Sequence, residues 1–218
     1  MKKLLFWIVL IVGIVVLLGS CAKKDDDSTA ATTVTFTSTT TAAGSITVGS
    51  VAMSGTYVSG CNTSGVAAAV SGGYFPSDIV ANRDVLVVTG NDNVSQESHF
   101  YTDTTCSTLS VSSKNGWDNF TVGDASGDYY KVTYQELGYK NKAGTAVWEA
   151  FYENYFSTNN ITASGTTIDL VVGTEYDVGG SGSSYMNLFY VNNTIARHGE
   201  GSTSSYPTAM DSLEMAKQ

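Results

Sequence analysis

Residues 129–137 (YYKVTYQEL) alternate without a break: Tyr130, Val132 and Tyr134 point one way, Lys131, Thr133 and Gln135 the other. A period of two with one apolar side marks a strand that buries one face. The same texture runs from about Val51 onward. Val, Thr, Tyr and Phe recur in short runs, Gly and Asn/Asp clusters separate them, and proline occurs only at Pro76 and Pro207. Almost every backbone N–H is therefore available to a sheet. The runs predict strands over residues 53–61, 84–89, 96–102, 119–122, 129–137, 145–156, 166–172 and 185–191, with a short last piece at 195–197. Turns are expected at 90–93, 123–128 and 140–144, and short helices at 66–70 and 208–217. The longest expected strand, 145–156 (TAVWEAFYENYF), would place Trp148, Ala150, Tyr152 and Phe156 on one face and Glu149 and Glu153 on the other. A helix is the alternative there, but apolar residues fill too many positions for one helical stripe.

About eight such strands at hairpin spacing predict an all-β domain, a single antiparallel up-and-down barrel, with a sandwich as the alternative. Closing the sheet removes the edges that so much β-sequence would otherwise expose. An eight-stranded barrel has an interior just wide enough to be filled by side chains or to hold one small ligand.

The N-terminus carries a different signal. Met1-Lys2-Lys3 is basic, residues 4–18 are an apolar run broken by one glycine, and Leu18-Gly19-Ser20-Cys21 closes it. Charged start, apolar run and small-residue end are the three zones of a secretory signal. The run falls short of the roughly 20 residues that cross a hydrocarbon core. Leu18-Gly19-Ser20-Cys21 closely resembles the lipobox of bacterial lipoproteins. That resemblance implies cleavage before Cys21, lipid (palmitate among its chains) on Cys21, and attachment to the cell envelope, with the outer membrane as the expected address. The expected organisation is a signal peptide over 1–20, a lipidated Thr/Ser-rich tether over 21–50, and a barrel domain over 51–218. Within the tether, 34–36 and 46–48 alternate enough for short strands. Lys24-Asp25-Asp26-Asp27 resembles the acidic export signals of some Bacteroidota surface lipoproteins; a solvated charge run is the other reading.

Loss of Lys2 and Lys3 leaves nine basic against 20 acidic residues, a net charge of −11. Such a surface argues against nucleic acid as a partner and against a polybasic membrane-surface role. The membrane partner is reached through the Cys21 lipid instead. With Cys21 given to lipid, Cys61 and Cys106 remain, and an even pair in an exported chain reads as one disulfide.

Gly55-Thr56-Tyr57, near the start of the first predicted strand, resembles the Gly-x-Trp signature of lipocalins, with tyrosine in place of tryptophan. Residues 55–61, 84–90 and 98–106 together resemble a lipocalin-like pattern seen in bacterial lipoproteins. The resemblance implies a barrel and an arginine on the last strand that packs over the aromatic residue, for which Arg197 is the candidate.

Catalytic motifs are missing from the sequence, and His99 and His198 stand singly without metal-ligand spacing, so neither an enzyme, a metal nor a cofactor is expected. Asp124-Ala125-Ser126-Gly127-Asp128 has Gln135 where a calcium loop needs glutamate, and reads as a turn. The function that follows is a small apolar ligand held in the barrel, with Tyr130, Tyr134, Trp148 and Tyr152 facing inward. The alternative is a tethered interaction or inhibitor domain whose rings fill a solid core.

Overall fold

A computed structural model describes residues 38–160, 162–163, 166–179, 182–210 and 213–218. The expected signal peptide, Cys21 and the expected strand at 34–36 lie outside the described residues. The chain forms a closed eight-stranded antiparallel barrel. Its first described elements are a small hairpin, β1 (Ile46–Val48) and β2 (Val51–Met53). The ring begins with β3 (Thr56–Ser59), β4 (Ala81–Val88), β5 (Val94–Tyr101), β6 (Leu109–Ser126) and β7 (Tyr129–Ala143). It is completed by β11 (Ser184–Val191), β12 (Ile195–His198) and β13 (Met215–Lys217), which returns to β3. Two short strands, β8 (Thr162–Ala163) and β9 (Thr166–Thr167), pair with each other. A further strand, β10 (Glu175–Gly179), takes the edge of β7 beyond the point where β11 leaves it.

Register assigns the faces. Tyr57, Leu86, Gln96, Asn115 and Tyr139 stand opposite one another across β3 to β7 and share the inner face. At one end that face carries a core of Tyr57, Leu86, Val88, Trp117, Phe120, Tyr134 and Phe189, closed by Ile46, Val48 and Met53 of the β1–β2 hairpin. Packed structure therefore extends upstream of Val51, into the segment expected to be tether. Gly55 separates β2 from β3 with φ of +82°, a left-handed conformation that a side chain disfavours.

At the other end, Phe100, Val111 and Ala143 meet two helices, α1 (Val66–Ser71) and α2 (Ala146–Thr158). The expected strand at 145–156 is thus a helix. Its buried and half-buried rings are Trp148, Phe151, Tyr152, Tyr155 and Phe156, the i, i+3, i+4, i+7, i+8 spacing of one helical stripe. Thr145 caps the start, its Oγ1 accepting from the Trp148 backbone N–H at 3.3 Å. Strand alternation would have required Asn154, which is exposed, to point inward with the rings.

The expected helix at 208–217 is also corrected. Its described end is strand β13, with Met215 buried in the first core. Leu, Glu, Met, Ala and Lys favour a helix locally, but the ring needs an eighth strand between β12 and β3, and tertiary pairing overrides propensity. The expected loop at 140–144 is β-strand through Ala143, because those residues pair with β6 and β10. The turn after β6 shrinks to Gly127-Asp128 between Ser126 and Tyr129. Of the run 166–172, only Thr166–Thr167 is strand.

Cys61 and Cys106 are bonded, with Cα atoms 5.7 Å apart and 45 residues between them in sequence. The bond ties the end of β3 to the loop between β5 and β6. A loop of that length should stabilise the fold by about 4 kcal/mol on the chain-entropy account.

Candidate functional site

Between the two apolar ends the inner face turns polar. β4 supplies Asp84, β5 Gln96 and Ser98, β6 Asn115, and β7 Glu136, Tyr139 and Asn141. A bulge makes this possible. Gly116 pairs with Gly138 but Trp117 pairs with Glu136, so Leu137 is looped out and is 58% exposed. Glu136 continues the inward phase of Tyr130, Val132 and Tyr134, and the alternation of β7 shifts after it, which turns Tyr139 inward as well.

The layer is partly bonded. Ser98 Oγ donates to Asp84 Oδ1 at 2.7 Å, Asn115 Nδ2 to Glu136 Oε2 at 3.2 Å, and the Tyr139 hydroxyl to the same oxygen at 3.0 Å. Burial, then the Glu136 charge beside it, pushes the Tyr139 phenol far above its ordinary value. Other atoms of the layer have no hydrogen-bond partner among the described residues: Asn115 Oδ1, Asn141 Oδ1 and Trp117 Nε1. Asn115 is 5% and Trp117 4% exposed, so bulk water does not solvate them freely. Gln96, Ser113 and Asn141, on the same face, keep part of their surface accessible. An inner surface that is accessible and carries unpaired polar groups is equipped to bind something.

The four rings predicted as ligand contacts divide into two pairs. Tyr134 is on the inner face of β7, stacked on Trp117 at 4.3 Å and on Tyr185 at 5.7 Å. Tyr130 packs against the same core from four residues earlier. Trp148 and Tyr152 are on α2, stacked at 4.7 Å, with Phe100 and Phe75 beyond. Trp148 and Tyr152 therefore belong to the helix-capped end and do not share a sheet face with the tyrosines. The polar members Gln96, Asn115, Trp117, Glu136, Tyr139 and Asn141 were missed by sequence reasoning. Their one sequence signal is polar residues at the inward phase of alternating runs, which is readable for Glu136 from Tyr130, Val132 and Tyr134 and reads as outward for the others until the phase is known.

The outer face of the same strands carries a second buried carboxylate. Glu97 is 0% exposed and accepts from Ser38 Oγ at 2.9 Å, from Thr40 Oγ1, and from His99 Nε2 at 2.7 Å. Ser38 and Thr40 belong to a strap, residues 38–45, that crosses the outside of the barrel; Lys114 Nζ donates to Thr39 Oγ1 at 2.7 Å and the Ala43 N–H to the Val88 carbonyl at 2.9 Å. Beside the strap, a surface groove of about 330 Å³ includes Lys114, Lys140 and Glu175, whose charges pair at 3.5 and 3.7 Å.

The cation over the Gly55-Thr56-Tyr57 ring is Lys217, not Arg197. Lys217 stands opposite Tyr57 in the β13–β3 register, its Nζ 5.7 Å from the ring centroid. Arg197 pairs with Glu214 at 3.7 Å. A last-strand cation does sit over the aromatic residue, but the final three-residue strand supplies it, a strand the helical expectation had hidden. Among the described residues there is no group of three or more His, Cys, Asp or Glu side chains placed to hold a metal ion. Compared with known families and with curated proteins, the chain matches no family model and no curated sequence.

Proposed function

We propose that this is a lipid-anchored envelope protein whose barrel takes a small amphipathic ligand into its polar waist. The observation that carries the reading is the set of unpartnered polar atoms on Asn115, Asn141 and Trp117, beside inner residues that remain accessible. A ligand would fill the Asn115 and Asn141 acceptors and lay its apolar part against the Trp117–Tyr134 stack. The rings predicted to line an apolar cavity are packed on each other, so the reading places the ligand among the polar groups instead. The anchor rests on the lipobox: several acyl chains on Cys21 would hold the protein by about 0.8 kcal/mol per buried methylene.

Native mass spectrometry of the mature protein, purified without detergent exchange, tests the ligand. A small molecule should co-purify with wild type and be lost from Asn115→Leu. Labelling with a clickable fatty acid tests the anchor: wild type should be marked and Cys21→Ala not. The second reading is a tethered interaction domain with a solid core, favoured by the close stacking in both apolar ends. It would be the better account if no molecule co-purifies and apolar probes do not bind.

A further inference from the structure

The basic residues of four strands are sorted to one side of the barrel wall, although the Glu97 carboxylate shares that outer side. The four consecutive strands β4 to β7 carry five basic residues, Arg83, Lys114, Lys131, Lys140 and Lys142, and register turns all five outward. The same strands turn two carboxylates, Asp84 and Glu136, inward, and both are buried. Lys217, which also takes an inward position, is held on the Tyr57 ring and by Ser54 Oγ at 3.3 Å. His198 edges Trp117 at 5.8 Å, and its Nδ1 donates to the Gly199 carbonyl at 2.9 Å.

Asn115 adds an independent indication. Its two amide ends differ in role, because the Nδ2 end faces the Glu136 carboxylate, which can only accept. The unpartnered end is therefore the carbonyl oxygen, an acceptor, held beside Glu136 in a residue 5% exposed. Next to it, Trp117 stands opposite Glu136 in register and stacks on Tyr134 at 4.3 Å. Anionic oxygen, an unfilled carbonyl acceptor and aromatic faces are the three surfaces that receive an alkylammonium group.

We propose that the barrel selects ligands bearing a protonated amine, received by Glu136, Asn115 Oδ1 and the Trp117 ring. The proposal rests on the reading of the barrel as a ligand carrier. No bond is made or broken; the amine enters with its proton, and the Glu136–Asn115 pair takes over hydrogen bonds from its hydration shell. A carboxylate ligand is opposed by the same charges, and an alcohol fills the bonds without the charge term.

The experiment is a tryptophan-fluorescence titration of the mature protein at neutral pH with hexylamine, hexan-1-ol and hexanoate, which share one apolar chain. The amine should bind at least about tenfold tighter than the alcohol, and hexanoate weakest, a difference of the size a charge-assisted bond gives. Glu136→Gln should bring the amine-to-alcohol ratio to within about threefold, well below that tenfold step. Asn115→Leu should narrow it too, and serves if Glu136→Gln does not fold by circular dichroism. Alcohol or hexanoate binding as tightly as the amine would overturn the selectivity and leave the carrier reading standing. An unchanged ratio in both folded variants would overturn the assignment to Glu136 and Asn115. If none of the three probes binds and native mass spectrometry finds no companion molecule, both readings fall together.

Discussion

Glu97 and Glu136 sit two strands apart in the same sheet, both buried, on opposite faces. Glu97, outside, is met by a hydroxyl from each of two strap residues and by an imidazole from its own strand. Glu136, inside, accepts from the Asn115 amide and the Tyr139 phenol among its contacts, and the neighbouring Asn115, Trp117 and Asn141 carry polar atoms without a partner among the described residues. A buried carboxylate is costly unless bonded, so a site saturated by its own chain holds the fold together. A site set among unfilled partners is arranged for something the chain does not supply. On that difference Glu97 is a clasp, and the layer around Glu136 is the proposed binding surface.

Truncation is the harshest way to break that comparison. Glu97→Ala should destabilise by about 3–5 kcal/mol, since it leaves His99 and the strap hydroxyls without their acceptor. Glu136→Gln should cost less than about 1 kcal/mol, because the new amide can donate to Asn115 Oδ1 while its oxygen still accepts from Tyr139. Urea unfolding of the two variants decides it, and equal losses would mean that Glu136 is a clasp as well.

Acid sharpens the same contrast. Burial pushes the Glu97 carboxyl up, but the bonds from His99, Thr40 and Ser38 and the His99 charge outweigh it, holding the group below its ordinary value. A carboxyl whose folded pKa is depressed contributes stability above its unfolded pKa of about 4.3 and loses it as pH falls through the lower folded value. Thermal melts of wild type should therefore decline below about pH 4. Glu97→Gln should show a shallower decline across that window; parallel curves would deny Glu97 this role.

Much of the barrel was legible because alternation, turn clusters and scarce proline act locally, and strands β4, β5, β11 and β12 fall within or close to their expected spans. The Cys61–Cys106 bond was legible from parity and compartment. The α2 segment was not, because Trp148, Tyr152 and Phe156, four apart, satisfy a helix and a strand alike. Phe151 and Tyr155 decide for the helix, but only once the second core exists to receive them. Of the site, Tyr134 was found from its phase on β7. Glu136 shares the phase of Tyr130, Val132 and Tyr134 and was readable from it, but a lone polar residue on that side carried no further signal. Tyr139 was not readable, because it faces inward only through the bulge at Leu137, and a one-residue bulge leaves no mark in a periodic pattern.

The strap offers a milder test. Thr40→Val keeps the shape and removes one donor to Glu97, which should cost about 1.5 kcal/mol, the low end for a bond to a charged group because Thr40 is half-buried. Limited proteolysis should then cut within residues 38–45 faster than in wild type. Unchanged cleavage would mean that Ser38 with Glu97, Thr39 with Lys114 and Ala43 with Val88 hold the strap without Thr40.

The smallest effect is expected on the inner face, at Trp117→Phe. The substitution keeps an aromatic ring against Tyr134 and Phe189 and deletes the buried Nε1–H that has no partner among the described residues. Loss of indole area destabilises, while removal of an unpaired buried donor stabilises by about 1–3 kcal/mol, so the net change should stay within about 1 kcal/mol. Ligand binding should respond differently, because the larger ring face and the N–H both border the polar layer. A stable Trp117→Phe with weakened retention of the co-purifying molecule would place Trp117 on the binding side of the comparison. A loss well above 1 kcal/mol in ligand-free protein would show that Nε1 already has a partner, such as an ordered water, and that the inner layer is satisfied much as Glu97 is.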